Sequence, residues 1–315
     1  MTPAAGPPPS SIVVWLPDAA AERAMGGVPS GYRADVWEGG AELPASASEV
    51  EVVIPPFPIM RPDLSLLSGL PRLRLVQLQS AGAEKVIPFV PPGVTLATAR
   101  GAHDTAVAEW VLSVLLAHYH YLPRFTLAQR EQRWDFTLTG ELSGKTVLIL
   151  GFGSIGEAVA RRLAGFDVTL LPVARRPRPG VSGVDELPAL LPRADVVVLL
   201  VPVTPATEGM VDAKFLAQLP DGALVVNAAR GGIVDTGALL AELSSERLSA
   251  ALDVTDPEPL PPGHPLWSAP GLILTPHVGG ASGKPMIRAM AVAKAQLIRY
   301  AAGEPLQNVV GEGGY

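Results

Sequence analysis

The chain has 315 residues, which exceeds the usual size of a single domain and predicts two compact domains rather than one large one. Hydrophobic residues make up 48% of it and charged residues 17%, a balance that excludes a disordered chain. The net charge is −6 and no long basic run occurs, so neither nucleic acid nor a membrane surface is a predicted partner.

Cysteine is absent, which excludes disulfides and thiolate metal sites, and the spacing of the histidines predicts no metal site. The apolar run at residues 110–122 is too short to span a bilayer and contains His118 and His120. Residues 1–10 lack the positive start of an export signal. We therefore expect a cytoplasmic protein whose partner is a small molecule.

The predicted elements form two α/β groups. In the first, short apolar runs bounded by proline or glycine predict strands at residues 11–16, 50–54 and 73–78. Apolar residues at helical spacing then predict one long helix within residues 102–122. From residue 145 onward the patterns alternate, with predicted strands at 146–150, 168–171, 196–201, 224–226 and 273–274 and helices at 155–164 and 286–302. This alternation predicts an α/β fold with a doubly wound parallel sheet.

A glycine motif follows the predicted strand at residues 146–150. The sequence there is Gly151-Phe-Gly153-Ser-Ile-Gly156, and an amphipathic helix comes next. The first glycine allows a tight turn, the second lets the backbone approach a pyrophosphate, and the third packs the helix against the strand. Because strand and helix flank the motif on the correct sides, it predicts a dinucleotide site rather than a chance loop.

The end of the next predicted strand carries arginines where many NAD sites carry an acid. A ribose-binding Asp or Glu usually lies about 20 residues past the glycines, whereas this chain reads Val173-Ala174-Arg175-Arg176. Guanidinium groups bind a 2′-phosphate through charge-assisted hydrogen bonds. The pattern predicts NADPH, with NADH as the weaker alternative. The other interpretation is that Arg175, Arg176 and Arg178 are solvated loop charges.

Arg230, Glu258 and His277 are the candidate catalytic residues. Arg230 and His277 each follow a predicted strand, and ligands of open α/β sheets bind at the carboxyl ends of the strands. An arginine beside two glycines is equally compatible with a surface turn, and a lone histidine is more often structural. A glutamate held against the histidine favours chemistry, because its carboxylate stabilises an imidazolium that can donate a proton.

Over nearly all of its length the chain resembles the D-isomer-specific 2-hydroxyacid dehydrogenase family. The matching motifs are Gln79-Ser-Ala-Gly82, Val107-Ala-Glu109, Gly151 to Gly156, Pro202-Val-Thr-Pro-Ala-Thr207, Asn227 to Gly232, Asp253 to Pro259 and Thr275 to Gly280. The resemblance implies a Rossmann-type cofactor domain, residues 101–286, inserted into a smaller flavodoxin-like substrate domain, residues 1–100 and 287–315. It also implies a homodimer with the active site in the interdomain cleft.

The resemblance also implies residue roles on the substrate side. Arg230 would bind the substrate carboxylate and polarise the carbonyl, and backbone amides around Ala81 and Gly82 would complete the carboxylate site. His277 would give a proton to the carbonyl oxygen as the nicotinamide delivers hydride to the carbon. Glu258 would orient and charge His277.

On the cofactor side the resemblance implies contacts along the whole dinucleotide. They are Gly151, Gly153, Ser154, Ile155 and Gly156 around the pyrophosphate, Arg175 and Arg176 at the 2′-phosphate, Pro202 and Thr207 beside the adenosine half, Ala228, Ala229 and Asp253 near the nicotinamide, and Gly279 as a further cofactor contact.

At two positions the chain differs from particular members of the family, and these differences disfavour formate and phosphite as substrates. Glu258 stands where the family's formate dehydrogenases carry glutamine, and Ala81 stands where its phosphite dehydrogenases carry lysine. The missing cofactor-binding acid points toward the NADPH-preferring glyoxylate and hydroxypyruvate reductases. The predicted function is therefore NADPH-dependent reduction of a small 2-oxoacid to the D-2-hydroxyacid.

Two alternative functions stay open. One is a dehydrogenase for larger 2-oxoacids such as phenylpyruvate. The other is a non-catalytic, dinucleotide-sensing binding protein, since the family includes corepressors that retain the fold. Pro55, Phe57 and the region of Trp134 either shape the substrate pocket or serve packing.

Overall fold

The computed structural model describes residues 11–57 and 60–311. The chain divides into two compact units. Unit 1 comprises Met1–His103 and Ser282–Tyr315, and unit 2 comprises Asp104–Ala281. Among the described residues, no helix combines the length and the apolar character needed to cross a membrane.

Unit 1 is a five-stranded parallel sheet with helices against it. Its elements are β1 (Ile12–Leu16), α1 (Ala19–Met25), β2 (Tyr32–Val36), β3 (Val50–Val53), β4 (Leu75–Gln77), β5 (Thr95–Ala97) and α8 (Gly283–Ala301), with short 3₁₀ helices at Ala45–Ser48, Leu64–Gly69 and Ile87–Phe89. The strand order β2-β1-β3-β4-β5 is that of the flavodoxin-like fold, as predicted.

Both faces of this sheet are covered, which explains why its central strands are apolar at consecutive positions. Val14 and Leu16 of β1 belong to the cluster that contains Leu297 of α8, while Val13 and Trp15 belong to the cluster on the other face. The chain's last described segment returns to this sheet, where Val309 forms an antiparallel bridge with Ala97 of β5.

Unit 2 is a six-stranded parallel sheet. Its elements are α2 (Asp104–Tyr119), α3 (Leu122–Arg130), β6 (Thr146–Leu150), α4 (Ser154–Leu163), β7 (Thr169–Val173), α5 (Leu187–Leu190), β8 (Val196–Leu199), α6 (Ala213–Leu216), β9 (Leu224–Asn227), α7 (Thr236–Ser244), β10 (Ser249–Leu252) and β11 (Leu272–Leu274), with 3₁₀ helices at Val184–Glu186, Leu191–Arg193, Gly231–Ile233 and Pro265–Ser268. The strand order is β11-β10-β9-β8-β6-β7.

This order reverses direction between β6 and β8, which makes that point the switch point of a doubly wound sheet. Where a full Rossmann sheet has a third strand beyond β7, this unit has a single parallel bridge between Val173 and Ser182. The prediction of a doubly wound, Rossmann-type sheet is confirmed. The loops that follow β6 and β8 therefore border the crevice in which such sheets bind ligands.

Strands β2 and β10 were not predicted from the sequence, because their composition is not typical of strands. Strand β2 carries Arg33 and Asp35 because it lies at the sheet edge, and β10 reads Ser-Ala-Ala-Leu without the large β-branched residues that mark strands. The helix predicted within residues 102–122 spans Asp104–Tyr119, and the left-handed backbone of Tyr121, with φ 52°, separates it from α3.

Candidate active site

The carboxyl ends of all six strands of unit 2 lie in one register row. Backbone pairing aligns Val173 with Leu150, Leu150 with Leu199, Leu199 with Asn227, Asn227 with Leu252 and Leu252 with Leu274. We call this set the terminal row. Every unit 2 residue predicted for the site follows a member of this row in sequence, so the loops that carry them leave the sheet along the same edge.

The glycine loop fits a phosphate cradle. Gly151, which follows β6, has φ 107°, and a Cβ there would lie 2.5 Å from the carbonyl carbon of Leu200. A Cβ on Gly156 would lie 2.6 Å from the carbonyl oxygen of Gly151. These positions accept only glycine, and they hold the start of α4 against the strand. The first amides of a helix have no partner within it and form a site for an anion.

Ser154 and Ile155 open α4, which begins directly after Gly153. The hydroxyl of Ser154 donates a hydrogen bond to Oδ1 of Asp104, the first residue of α2, at 3.2 Å. The first turn of the helix thus bears the groups predicted to line the pyrophosphate.

Arg175 and Arg176 follow β7 and are both exposed. Within residues 11–57 and 60–311, neither side chain has a hydrogen bond or ion pair. Arg178 differs, because it donates to the carbonyl of Phe152 at 2.8 Å and to Oε1 of Glu157 at 3.2 Å. Two guanidinium groups are therefore available for a ligand, while Arg178 ties their loop to the glycine loop.

The segment from Pro202 to Thr207 is a turn closed by its own side chains. The hydroxyl of Thr207 donates to the carbonyl of Pro202 at 2.6 Å and accepts from the backbone amide of Thr204 at 2.8 Å. This loop follows β8, so the switch point has the glycine loop on one side and this turn on the other.

Arg230 is positioned by a buried asparagine and a crowded glycine. The side chain of Asn227, 1% exposed, donates to the carbonyl of Arg230 at 2.9 Å and accepts from the amide of Ala229 at 3.0 Å. A Cβ on Gly231 would overlap the backbone of Thr255. The turn of residues 227–231, which includes Ala228, is therefore fixed against the loop that carries Glu258.

Asp253 is the buried anchor of the loop that contains His277. Its carboxylate, on a residue 4% exposed, accepts hydrogen bonds from the hydroxyl of Thr275 at 2.6 Å and from the amides of Val278 and Gly279, each at 2.8 Å. Trp110 of α2 adds a hydrogen bond from Nε1 to the same threonine hydroxyl at 3.0 Å. Asp253 thus uses its side chain to shape the loop.

His277 lies at the centre of this anchored turn. Its backbone amide donates to the carbonyl of Asp253 at 2.7 Å, and its φ of 57° is in the left-handed region, which costs a residue other than glycine on the order of 1–3 kcal/mol. Nδ1 of His277 lies 2.9 Å from Oε1 of Glu258. Such strain persists where surrounding contacts over-determine the backbone, and it clusters at active sites.

The His277–Glu258 pair determines which chemistry the residues at the carboxyl ends of the unit 2 strands can perform. With Nδ1 facing a carboxylate, Nε2 is the ring nitrogen left to donate a proton. The histidine side chain is 44% exposed and that of Glu258 is 32% exposed, so solvent can exchange protons with the pair. Arg230 and His277 each lie three residues past the terminal-row residue of its strand, Asn227 for β9 and Leu274 for β11.

Ala81 and Gly82 lie in unit 1, on the loop that follows β4. Ser80, just before them, donates from its hydroxyl to the carbonyl of Gly82 at 2.7 Å and shapes this loop into a turn. Pro55 and Phe57 line a small cavity beside it, whereas Trp134 lies in unit 2.

Three interactions that shape the site were not predicted from the sequence. They are the clamp made by Asp253, the hydrogen bond from Trp110 and the close approach of Gly231 to Thr255. The first two depend on backbone amides and on residues distant in sequence, which a motif does not display. A glycine directly after Arg230 was the one available signal of close backbone approach.

Comparison with known proteins identifies relatives across the chain. Residues 112–279 match the family model for the NAD binding domain of D-isomer specific 2-hydroxyacid dehydrogenases. A glyoxylate reductase from Thermofilum pendens is 33% identical over 257 residues, which are 77% of this chain and 76% of that enzyme. A D-3-phosphoglycerate dehydrogenase from Mycobacterium tuberculosis is 34% identical over 80% of this chain, but the match spans 49% of that enzyme.

A solved structure shows the same fold over nearly all of the chain. It is an NADPH-dependent glyoxylate/hydroxypyruvate reductase from Sinorhizobium meliloti in complex with NADP and sulfate. The TM-score is 0.84 at 28% sequence identity, with 97% of this chain and 100% of that chain covered.

We predict that Asp253→Asn destabilises the protein and impairs catalysis. An amide group would turn an N–H toward the donors of Thr275, Val278 or Gly279, and leaving a buried group unpaired costs about 1–3 kcal/mol. Urea unfolding would measure the loss, and kcat would report the loosened turn. Asp221→Asn is the matched control, because that side chain is 88% exposed. Equal stability of the two variants would contradict the anchoring role.

Proposed function

The chain belongs to the D-isomer-specific 2-hydroxyacid dehydrogenase family, and from this premise we propose that it reduces a small 2-oxoacid of the glyoxylate/hydroxypyruvate type to the D-2-hydroxyacid with NADPH. As a member it is an NAD(P)-dependent oxidoreductase with a Rossmann-type cofactor fold. The observation that carries the proposal is the His277–Glu258 pair on the strained turn, since a cofactor-binding protein without chemistry has no need for it.

The proposed mechanism assigns substrate binding, carbonyl polarisation and proton transfer to named residues. Arg230 binds the substrate carboxylate through its planar fork and polarises the carbonyl. His277 donates the proton on Nε2 to the carbonyl oxygen, while Glu258 holds Nδ1 and balances the imidazolium charge. The backbone amides around Ala81 and Gly82 stay predictions as further ligands of the substrate carboxylate. The nicotinamide, when bound, supplies the hydride.

The cofactor contacts in this proposal follow the terminal row. The first turn of α4, with Ser154 and Ile155, holds the pyrophosphate, and the turn from Pro202 to Thr207 borders the adenosine. Ala228, Ala229 and Asp253 stay predictions as contacts of the nicotinamide half, and Gly279 stays a prediction as a further cofactor contact. The assignment of residues 101–286 to the cofactor and of 1–100 with 287–315 to the substrate also stays a prediction. A cytoplasmic location also stays a prediction.

The substrate assignment is tested by initial rates with glyoxylate, hydroxypyruvate, pyruvate and phenylpyruvate, each with NADPH and with NADH. We expect the fastest NADPH oxidation with the two small substrates named in the proposal.

We further expect Arg230→Lys to lower kcat/KM by roughly 10²-fold or more, since a point charge cannot reproduce bidentate carboxylate binding.

Two results would contradict this assignment. A preference for phenylpyruvate would be consistent with the proposed mechanism but would show that the substrates are larger 2-oxoacids. Binding of NADPH without turnover of any 2-oxoacid would favour the sensor over the enzyme. Relatives of similar identity carry the names glyoxylate reductase and D-3-phosphoglycerate dehydrogenase, so direct rates are needed to choose a substrate.

The preference for NADPH is proposed to depend on Arg175 and Arg176, whose exposed side chains are unpaired in the described part of the chain. Replacing both with alanine should raise the dissociation constant of NADPH by roughly 10-fold or more while changing that of NADH little, because charge-assisted hydrogen bonds contribute about 1.5–3 kcal/mol. Arg193→Ala, at another exposed arginine of unit 2, is the control. Equal weakening of NADPH and NADH would contradict the assignment.

We also propose that the protein is a homodimer, and an exposed apolar segment of unit 2 supports this. Trp134, Phe136 and Leu138 are 95%, 82% and 82% exposed. Between them Asp135 accepts hydrogen bonds from Arg124 at 2.8 and 2.9 Å, and hydrogen bonds from Arg124 and Arg133 lower its pKa. The segment is thus held in place with its apolar side chains outward, which is typical of an interface.

Sedimentation of the wild type and of Trp134→Ser/Phe136→Ser at micromolar concentration tests this interface. We expect a dimer for the wild type and a shift to monomer for the double variant. Ile298→Ser, at an exposed apolar residue of unit 1, should leave the mass unchanged. A monomeric wild type would refute the proposal.

A further inference from the structure

Helix α2 places an acidic side chain beside the first turn of α4, the turn proposed to hold the pyrophosphate of the cofactor. Oδ1 of Asp104 lies 3.2 Å from the hydroxyl oxygen of Ser154, the first residue of α4. The pyrophosphate is negatively charged, and like charges a few ångströms apart repel each other. The carboxylate of Asp104 therefore lies next to the position where a second negative group is proposed to bind.

The packing of α2 against α4 holds this acid in place. Ala108 and Val111 of α2 and Val159 of α4 belong to one buried apolar cluster. Asp104 is half-buried and lies one helical turn before Ala108, as the first residue of α2. Because a close-packed core fixes the two helices against each other, the backbone of Asp104 stays beside the start of α4.

The hydrogen bond between the two side chains has one possible direction. A carboxylate accepts hydrogen bonds and does not donate them, so the single hydroxyl proton of Ser154 points at Asp104. An oxygen of the pyrophosphate would need the same proton, because it too can only accept. The hydroxyl of Ser154 can therefore serve the acid or the cofactor, but not both at once.

The carboxylate of Asp104 has no ion-pair partner within residues 11–57 and 60–311. The partial positive charge at the N-terminus of a helix favours an anion. Asp104 lies at two such ends, since it is the first residue of α2 and contacts the first residue of α4. Its negative charge thus stabilises both helix ends.

We propose that Asp104 limits the affinity of the cofactor site, because its carboxylate holds the hydroxyl proton of Ser154 and repels the pyrophosphate. The inference rests on the proposed NADPH-dependent function and specifies what weakens binding at its cofactor site. NADPH and NADH share the pyrophosphate, so Asp104 acts on both alike, whereas Arg175 and Arg176 are proposed to act on the 2′-phosphate of NADPH. Removing the charge of Asp104 should therefore tighten cofactor binding while it destabilises the cofactor-free protein.

The test measures the dissociation constants of NADPH and NADH by fluorescence in the wild type and in Asp104→Asn, which keeps the shape of the side chain and removes its charge. We expect both constants to fall roughly three- to tenfold, the effect of one charge a few ångströms away near solvent. Without cofactor, the variant should unfold at a lower urea concentration than the wild type. A purely structural role would lower stability without tightening binding, so unchanged or higher dissociation constants would overturn the inference.

Asp195→Asn is the matched control. Oδ2 of Asp195 accepts a hydrogen bond from the amide of Thr146 at 2.7 Å, and this residue is also half-buried. Thr146 begins β6 and Gly151 follows the end of that strand, so a strand about 16 Å long separates this carboxylate from the glycine loop. The same loss of charge should leave both dissociation constants within about twofold of the wild type. Equal tightening in the two variants would indicate an effect of net charge and would overturn the inference.

Ser154→Ala tests the competition for the hydroxyl proton. In the wild type Asp104 holds this proton, so the substitution should raise the dissociation constant of NADPH by less than about twofold. In the Asp104→Asn background no charged acceptor holds the proton, and the same substitution should raise the constant about fivefold or more, the effect of one hydrogen bond. Equal effects in the two backgrounds would overturn the inference.

Asp104→Ser covers the case in which Asp104→Asn fails to fold, because serine suits the start of a helix and carries no charge. We expect the same fall in both dissociation constants, and the absence of a fall would overturn the inference. NADPH binding with unchanged affinity in the variants would refute the role of Asp104 alone. A wild type that binds neither NADPH nor NADH would refute the proposed function and the inference with it.

Discussion

The terminal row of unit 2 is the constraint on which its candidate site depends. Six parallel strands end in register, so loops that are more than a hundred residues apart in sequence leave the sheet along one edge. The glycine loop, the arginines after β7 and the loops of Arg230 and His277 all begin there. Parallel pairing supplies this alignment without any contact between the functional side chains, because hydrogen bonds between strands set where each one ends.

The alignment of the strand ends does not by itself orient the side chains that follow them. Buried polar side chains fix the turns that carry these residues. Asn227 satisfies the backbone of the Arg230 turn, and Asp253 satisfies the backbone of the His277 turn. Both side chains are almost fully buried, where a paired polar group is stable and an unpaired one is costly. The hydrogen bonds to Asp253 offset the cost of the left-handed backbone at His277, whose Nδ1 lies 2.9 Å from Oε1 of Glu258.

Much of this arrangement was predictable from local patterns. The strands of unit 2 around Gly151 are continuous apolar runs with a glycine motif at the end, and residue order alone marks them. Strand β10 escaped because its small residues carry no β signal, although Asp253 directly follows it. The hydrogen bonds from the amides of Val278 and Gly279 to Asp253 could not be predicted either. Every residue except proline has a backbone amide, and the sequence does not show which of them lie near a given carboxylate.

Two measurements on one variant test whether His277 is the proton donor. In His277→Gln, NADPH binding is measured by fluorescence and single-turnover reduction of glyoxylate is measured alongside. Loss of a positioned proton donor typically lowers the rate by about 10²–10⁴-fold, and we expect a loss in that range with the dissociation constant of NADPH unchanged. A rate within about tenfold of the wild type would contradict this role, since the loss of rate would be smaller than the usual effect of a general acid.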